Sequence, residues 1–287
     1  MPSFFAIIEG GGIMLNNIKL GVDLITSKSN STIVKITKLH EKKYRNIDRM
    51  FICDGLKLFF EACEFCKKIE YIILNNDIEF DDKVIKKIQN LMSNGTIVLC
   101  VTNEVFSKIS KENSPQGIIT IINHLEEIHN FSTTSDDFDT NGKILVIESV
   151  RDPGNIGTII RNSAAFGIDK LVLTSDCADI YSSKVIRASM GAIFKVKIDV
   201  VENITQTISN LKSIGKRILC AGLTNNSLIL GKDKISPTDV IVIGNEGHGV
   251  SKELTLLCDQ IITIPMKSNT ESLNAAIAAS IFMWEMY

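Results

Sequence analysis

The chain has 287 residues, more than the roughly 100–200 of a common single domain, which predicts two domains, each able to bury its own core. A hydrophobic share of 45% and a charged share of 22% exclude a largely disordered or fibrous chain. The formal net charge of −2 argues neither for nor against a polyanionic partner, because the placement of basic groups decides that.

Residues 1–24 read as an N-terminal extension, with Gly10, Gly11 and Gly12 in a stretch predicted to be poorly ordered. It shows no basic leader, and its apolar run is too short for a signal peptide. The apolar run Ala275–Trp284 is likewise shorter than the ~20 residues a membrane-spanning helix needs. Seven cysteines, an odd number scattered along the chain, predict free thiols in a reducing compartment, the cytoplasm. Cys63 and Cys66 have zinc-like spacing but lack a second pair, and His40, His124 and His129 form no ligand pattern, so no metal is predicted.

The most basic stretch follows: Lys28, Lys35, Lys38, Lys42, Lys43, Arg45 and Arg49 within residues 28–49, against only Glu41 and Asp48. A solvated helix face and a phosphate-binding surface both fit that pattern. From residue 51 to 122, short apolar runs (Met50–Cys53, Tyr71–Leu74, Ile97–Val101, Gly117–Ile122) alternate with helical spacing at Leu56, Phe59, Phe60, Cys63 and at Val84, Ile85, Ile88, Leu91. This predicts a small α/β domain over residues 25–129. Apolar periodicity then fails over the Ser-, Thr- and Asp-rich residues 130–142, which read as a linker.

Residues 143–287 form the second domain. Buried-strand runs are predicted at Ile144–Glu148, Leu171–Thr174, Phe194–Ile198, Ile218–Ala221, Val240–Gly244 and Ile261–Ile264. Helical segments near 155–166, 182–190, 203–214, 251–258 and 272–286 alternate with them, the pattern of a mainly parallel sheet covered on both faces. Ligands of such sheets bind beyond the carboxyl ends of the strands.

Three unusual segments lie at such ends. In Asp152-Pro-Gly-Asn-Ile-Gly-Thr-Ile-Ile-Arg161, Asn155 reads as the N-cap of the next helix, and Arg161 is a guanidinium in an otherwise apolar run, which calls for an anionic partner. In Ile243-Gly-Asn-Glu-Gly-His-Gly-Val-Ser251 the glycines match neither the dinucleotide fingerprint nor the Walker loop, but permit close backbone approach to a ligand. Glu246 reads as a loop carboxylate with either a ligand or solvent for a partner, His248 as a loop histidine, and Ser251 as a helix cap. In Ile264-Pro-Met-Lys-Ser-Asn-Thr-Glu-Ser-Leu-Asn274, a capping box over 268–271 accounts for the turn but leaves Ser272, Leu273 and Asn274 unexplained in a first helical turn. The small residues Ala275, Ala276, Ala278, Ala279 and Ser280 after them let another backbone pack close. Phe282, Met283 and Trp284 read as exposed.

Taken together over residues 143–287, and with Arg187-Ala-Ser-Met-Gly-Ala192, these segments resemble the SpoU/TrmH family. The resemblance implies an RNA ribose 2′-O-methyltransferase using S-adenosylmethionine, an α/β fold whose C-terminal, mainly parallel sheet carries a deep trefoil knot, and a homodimer. It implies that Ala221, Gly244, Ile264 and Leu273 surround the cofactor, that Glu246, Ser272 and Asn274 support its loops, and that Arg161 and Asn155 are catalytic. Residues 35–45, Asp54-Gly-Leu-Lys57 and Ser114-Pro-Gln-Gly117 resemble the family's smaller N-terminal α/β RNA-binding domain. This favours RNA contact by Lys28, Lys35, Lys38, Lys42, Lys43 and Arg45, with rRNA ahead of tRNA as the substrate. A non-catalytic RNA-binding or ribosome-assembly factor on the same fold is the alternative.

Overall fold

A computed structural model describes residues 16–66, 68–125, 128–129, 138–224, 226–245, 247–267 and 272–287. Most of the predicted N-terminal extension, residues 130–137 of the predicted linker, Glu246 and the capping-box residues 268–271 lie outside the described residues. The chain divides into two compact units between Asn123 and His124.

The first unit runs α1 (Asn16–Leu20), β1 (Leu24–Ile25), α2 (Ser31–Lys38), α3 (Lys42–Asp48), β2 (Met50–Asp54), α4 (Leu56–Phe65), β3 (Ile69–Asn75), α5 (Asp82–Ser93), β4 (Ile97–Val101), α6 (Asn103–Ile109) and β5 (Ile118–Asn123). Its five strands lie in the order β1-β4-β3-β5-β2, with β5 antiparallel to both neighbours. Ile33, Ile36 and Leu39 of the α2 region pack with Val105, Phe106 and Ile109 of α6 on Ile52, Ile73, Ile119 and Ile121 of the sheet. The i, i+3, i+6 spacing in α2 is that of one buried helix face.

The second unit runs β6 (Ile128–His129), β7 (Ile144–Ile147), α7 (Pro153–Ala165), β8 (Lys170–Thr174), α8 (Ser183–Ser189), β9 (Lys197–Val201), α9 (Ile204–Ser213), β10 (Ile218–Ala221), β11 (Leu228–Ile229), β12 (Val240–Ile243), α10 (Lys252–Leu257), β13 (Gln260–Thr263) and α11 (Ala275–Met286). Its eight strands are ordered β11-β13-β10-β12-β7-β8-β9-β6, and every pair is parallel. Successive strands step outward from β7 to β8 and β9, whereas β12 lies on the other side of β7. That reversal opens a crevice at the carboxyl ends of β7 and β12, the usual ligand position in such sheets.

Among the predicted strands β9 is displaced by three residues: it spans Lys197–Val201 instead of 194–198, while β1, β6 and β11 were not predicted. Met190 (φ 52) and Gly191 (φ 89) are left-handed, ending α8 and opening a 3₁₀ turn over Ala192–Phe194. That turn takes the apolar residues that read as strand. Helix α8 packs closely on α7 at Gly157, where a Cβ would lie 2.4 Å from that of Ala188.

Candidate active site

Helix α7 starts one strand-end loop after β7. Its N-cap is Asp152, whose Oδ1 accepts from the backbone N–H of Asn155 at 2.8 Å, with proline at the first helical position. This corrects the expectation that Asn155 is the cap. Asn155 sits in the first turn with its side chain released, and its Oδ1 accepts from Nδ2 of Asn274 at 2.9 Å.

Asn274 is itself a cap. Its Oδ1 accepts from the backbone N–H groups of Ala276 (3.0 Å) and Ile277 (3.3 Å), so α11 begins at Ala275, after Ser272 and Leu273. The weak helix propensity of Ser272 and Asn274 is thereby explained, because neither is inside the helix. Further along, Asn162 Nδ2 donates to Ser280 Oγ at 2.6 Å and Ser163 Oγ meets Met283 Sδ at 3.7 Å. Helices α7 and α11 therefore run side by side in parallel, brought close by buried Ala276 and Ala279. Phe282 and Met283, expected to be exposed, are fully buried; Trp284 is 63% exposed. The aromatic side chains cannot all face outward on a helix that is apolar almost all round.

The glycine loop after β12 is closed on itself. Asn245 and Gly249 exchange backbone hydrogen bonds at 3.1 and 2.8 Å, Asn245 Oδ1 accepts from Gly247 N–H at 2.8 Å, and Asn245 Nδ2 donates to the Ser149 carbonyl at 2.9 Å. A Cβ on Gly244 would stand 2.1 Å from the Gly249 carbonyl carbon and oxygen, so this position excludes any side chain. Ser251 caps α10 through its Oγ and the Leu254 N–H at 3.2 Å.

Between these segments lies a cavity of about 290 Å³. Ala221, Gly222 and Leu223 form its wall at the end of β10, and Ile243, Gly244, Asn245, Gly247 and Gly249 at the end of β12. Ile262, Ile264 and Met266 continue from β13, while Ser272, Leu273, Ala275, Ala278 and Phe282 close the side made by α11. Ala221, Gly244, Ile264, Ser272 and Leu273, singled out from sequence, all line it. Asn274 stands at the adjoining cap, and Glu246 lies outside the described residues. Cys220, just before Ala221, has its thiol pulled down by the neighbouring Cys258, whose own thiol is pushed up by that contact and by burial.

Two arginines near the start and on the body of α7 differ in their partners. Arg151 pairs with Asp176 at 3.1 Å. Burial pushes the Asp176 carboxyl up, but hydrogen bonds from Thr174 and Ser149 and the Arg151 guanidinium hold it below its usual value overall. Arg161 is exposed on α7, beside Asn162, and has no hydrogen-bond or ion-pair partner among the described residues. Such a cation is available to an anionic ligand. No group of three or more metal-ligating side chains occurs among the described residues, and no described helix is long and apolar enough to cross a membrane.

In the first unit Lys28, Lys35, Lys38, Lys42 and Lys43 are all exposed. Lys28 pairs with Glu104 at 3.5 Å and Lys35 with Asp48 at 3.2 Å. Lys38 and Lys43 lie 5.2 and 5.8 Å from the centre of the Tyr44 ring. Arg45 departs from the expected basic surface: it is only 4% exposed, and its Nη1 donates to the Leu39 carbonyl at 2.7 Å, at the end of α2. A guanidinium turned in to hold a helix C-terminus is a structural group, not part of a phosphate-facing surface.

Sequence reading missed Glu148, Ser149 and Asn245, which hold the crevice loops together. The only sequence signal for them was an acidic residue ending an apolar strand run and an asparagine between two glycines.

The same architecture recurs in known proteins. Residues 142–284 match the SpoU rRNA methylase family, and residues 30–120 match the MRM3-like substrate-binding domain. A putative TrmH family tRNA/rRNA methyltransferase of Staphylococcus haemolyticus is 31% identical over 70% of this chain and 80% of its own length. The chain belongs to the SpoU/TrmH methyltransferase family. Within it, the chain is 28% identical to the 23S rRNA (guanosine(2553)-2′-O)-methyltransferase RlmP of Bacillus subtilis, over 91% of this chain and 98% of that one. The crystal structure of an S-adenosylmethionine-bound rRNA methyltransferase from Sinorhizobium meliloti superposes with a TM-score of 0.79 at 27% identity, covering 92% of this chain and 97% of that one.

Proposed function

We propose that this chain transfers the methyl group of S-adenosylmethionine to a ribose 2′-hydroxyl of RNA, with rRNA the preferred substrate class. The observation that carries this reading is the convergence of Ala221, Gly244, Ile264, Ser272 and Leu273 on one largely apolar cavity, beside a hydrogen-bonded Asn155–Asn274 pair. The cavity suits the cofactor: the missing Cβ of Gly244 lets the Gly249 backbone fold against it, and the backbone-rich loop so formed lines the wall. The activities of the relatives point to the same chemistry.

Bound there, S-adenosylmethionine supplies a methyl group already activated by its sulfonium charge. The protein's part is then alignment and charge stabilisation. Ala221, Gly244, Ile264 and Leu273 would hold the cofactor, and Ser272 and Asn274 would support its loops. Arg161 hydrogen-bonds the attacking hydroxyl or its neighbouring phosphate. Asn155, held by Asn274, orients the first turn of α7, six residues before Arg161.

Lys28, Lys35, Lys38, Lys42 and Lys43 form the RNA-facing surface of the first unit, and attraction to phosphates there is independent of the chain's small net charge. A homodimer through the exposed side of α7 and α11 is supported by the outward Ile277, Trp284 and Tyr287. A threaded path around α11 is supported by β10 lying between β12 and β13 while α11 returns to α7. Seven cysteines outside any disulfide fit action in the cytoplasm.

The test is transfer of tritiated methyl from S-adenosylmethionine to total RNA, followed by mapping of 2′-O-methyl sites in RNA from cells with and without the chain. Label in rRNA that disappears with the gene supports the reading. A protein that retards RNA on a gel yet leaves no label is a binding factor on this fold.

A further inference from the structure

The glycine loop that walls the cavity is gripped at both ends by one residue. Glu148 follows β7, and its backbone N–H donates to the carbonyl of Ile243, the last residue before the loop, at 2.8 Å. Its side-chain Oε2 accepts from the backbone N–H of Ser251, the first residue after the loop, also at 2.8 Å. The neighbouring Ser149 adds a third tie, since its carbonyl accepts from Asn245 inside the loop. Ser149 is held there with φ 56, a left-handed backbone that a serine adopts only under constraint.

Glu148 is only 9% exposed, and among the described residues no cation lies within ion-pair distance of it. An apolar side chain would fill that place without the cost of removing a carboxylate from water. What a carboxylate adds is an acceptor strong enough to hold the N–H of Ser251, the residue that caps α10. We infer that Glu148 is a positioning residue for S-adenosylmethionine: its side-chain bond to Ser251 closes the neck of loop 244–250 and keeps Gly244, Asn245 and Gly249 in their cofactor-binding arrangement.

This rests on the cofactor reading of the cavity, and the two are separable. The experiment compares wild type, Glu148→Ala and Glu148→Gln by calorimetric titration with S-adenosylmethionine, by RNA binding, and by steady-state methylation with each substrate varied. Thermal melting of the cofactor-free proteins checks the fold. Losing a buried charge-assisted bond predicts a cofactor Kd raised about tenfold or more in Glu148→Ala. RNA affinity and kcat at saturating cofactor stay near wild type. Glu148→Gln keeps an acceptor for the Ser251 N–H and restores most of the cofactor affinity, which a general loss of stability would not produce.

Unchanged cofactor affinity in Glu148→Ala overturns the inference while leaving the cavity assignment intact. So does a kcat that falls at saturating cofactor without a change in Kd. A glutamine variant as defective as the alanine variant also overturns it, because the acceptor would then not be the operative feature. Wild-type protein that binds no S-adenosylmethionine removes the cavity assignment and the inference with it.

Discussion

Asn274 and Asn155, 119 residues apart in sequence, join the N-terminal ends of two parallel helices through one side-chain hydrogen bond of 2.9 Å. The two residues are not equivalent. Asn274 also caps α11 with two backbone N–H groups, whereas the cap of α7 is Asp152. Asn274→Ala is expected to lower stability by about 1 kcal/mol, the usual loss for an N-cap, and Asn155→Ala by much less. In methylation both fall, and the double variant falls less than the product of the two single effects. Thermal melts and a double-mutant cycle in kcat/KM check this; full additivity would mean that the contact carries nothing.

Arg161→Lys keeps the charge and loses the planar fork. Methylation is expected to drop by roughly a hundredfold or more, with cofactor affinity by calorimetry unchanged, because the cavity contains no atom of Arg161. Wild-type turnover in this variant removes Arg161 from the reaction.

Gly244→Ala is the most economical way to spoil the cavity. The new methyl group meets the Gly249 backbone at 2.1 Å, and backbone on both sides leaves no flexible side chain to move away. Overpacking of this kind costs about 1–3 kcal/mol, released by opening the loop. The variant should keep its far-UV circular dichroism and lose cofactor binding; retained affinity would show that the loop yields without harm.

On the first unit, the lysines and Arg45 separate two kinds of loss. Replacing Lys38, Lys42 and Lys43 together by alanine is expected to weaken RNA binding and flatten its salt dependence without moving the melting temperature. Arg45→Ala leaves the Leu39 carbonyl without its buried donor and lowers stability by about 1–3 kcal/mol. A triple lysine variant with unaltered RNA affinity would move the RNA surface elsewhere.

Asp259 supplies a pH test. Burial pushes its carboxyl up, but the Ile218 N–H at 2.7 Å and Lys212 at 2.8 Å hold it below the ordinary value of 3.8 overall. These partners favour the ionised form, so the stabilisation is complete above the unfolded value and fades as pH falls through the lower folded one. Asp259→Asn should be less stable at neutral pH and show a shallower acid limb in melting temperature between about pH 5 and 2. An acid limb identical to wild type would show that this carboxylate is not coupled to folding.

Which of these features could be read from the chain alone follows from physical range. The strands of the second unit announced themselves because a sheet covered on both faces demands continuous apolar runs, as in Ile144–Ile147 and Val240–Ile243. The cavity residues stood out because glycines and Ser-Leu-Asn sat where neither strand nor helix wanted them. Asn155 was misassigned because Asp152 and Asn155 are both good caps, and only the backbone shows that proline at 153 opens the helix. Arg45 could not be distinguished from its lysine neighbours, since a run of charge does not reveal which member turns inward. The short elements β1, α6 and β11 have too few residues to establish a period, and Glu148 acts on a partner 103 positions away.

The cavity takes its walls from Ala221 onward and is completed by Ala278 and Phe282 of α11. During synthesis the N-terminal domain, the α7 arginine and most of the large sheet emerge before that final wall exists. A growing polypeptide therefore carries an unfinished cavity until α11 has been made and has settled against α7.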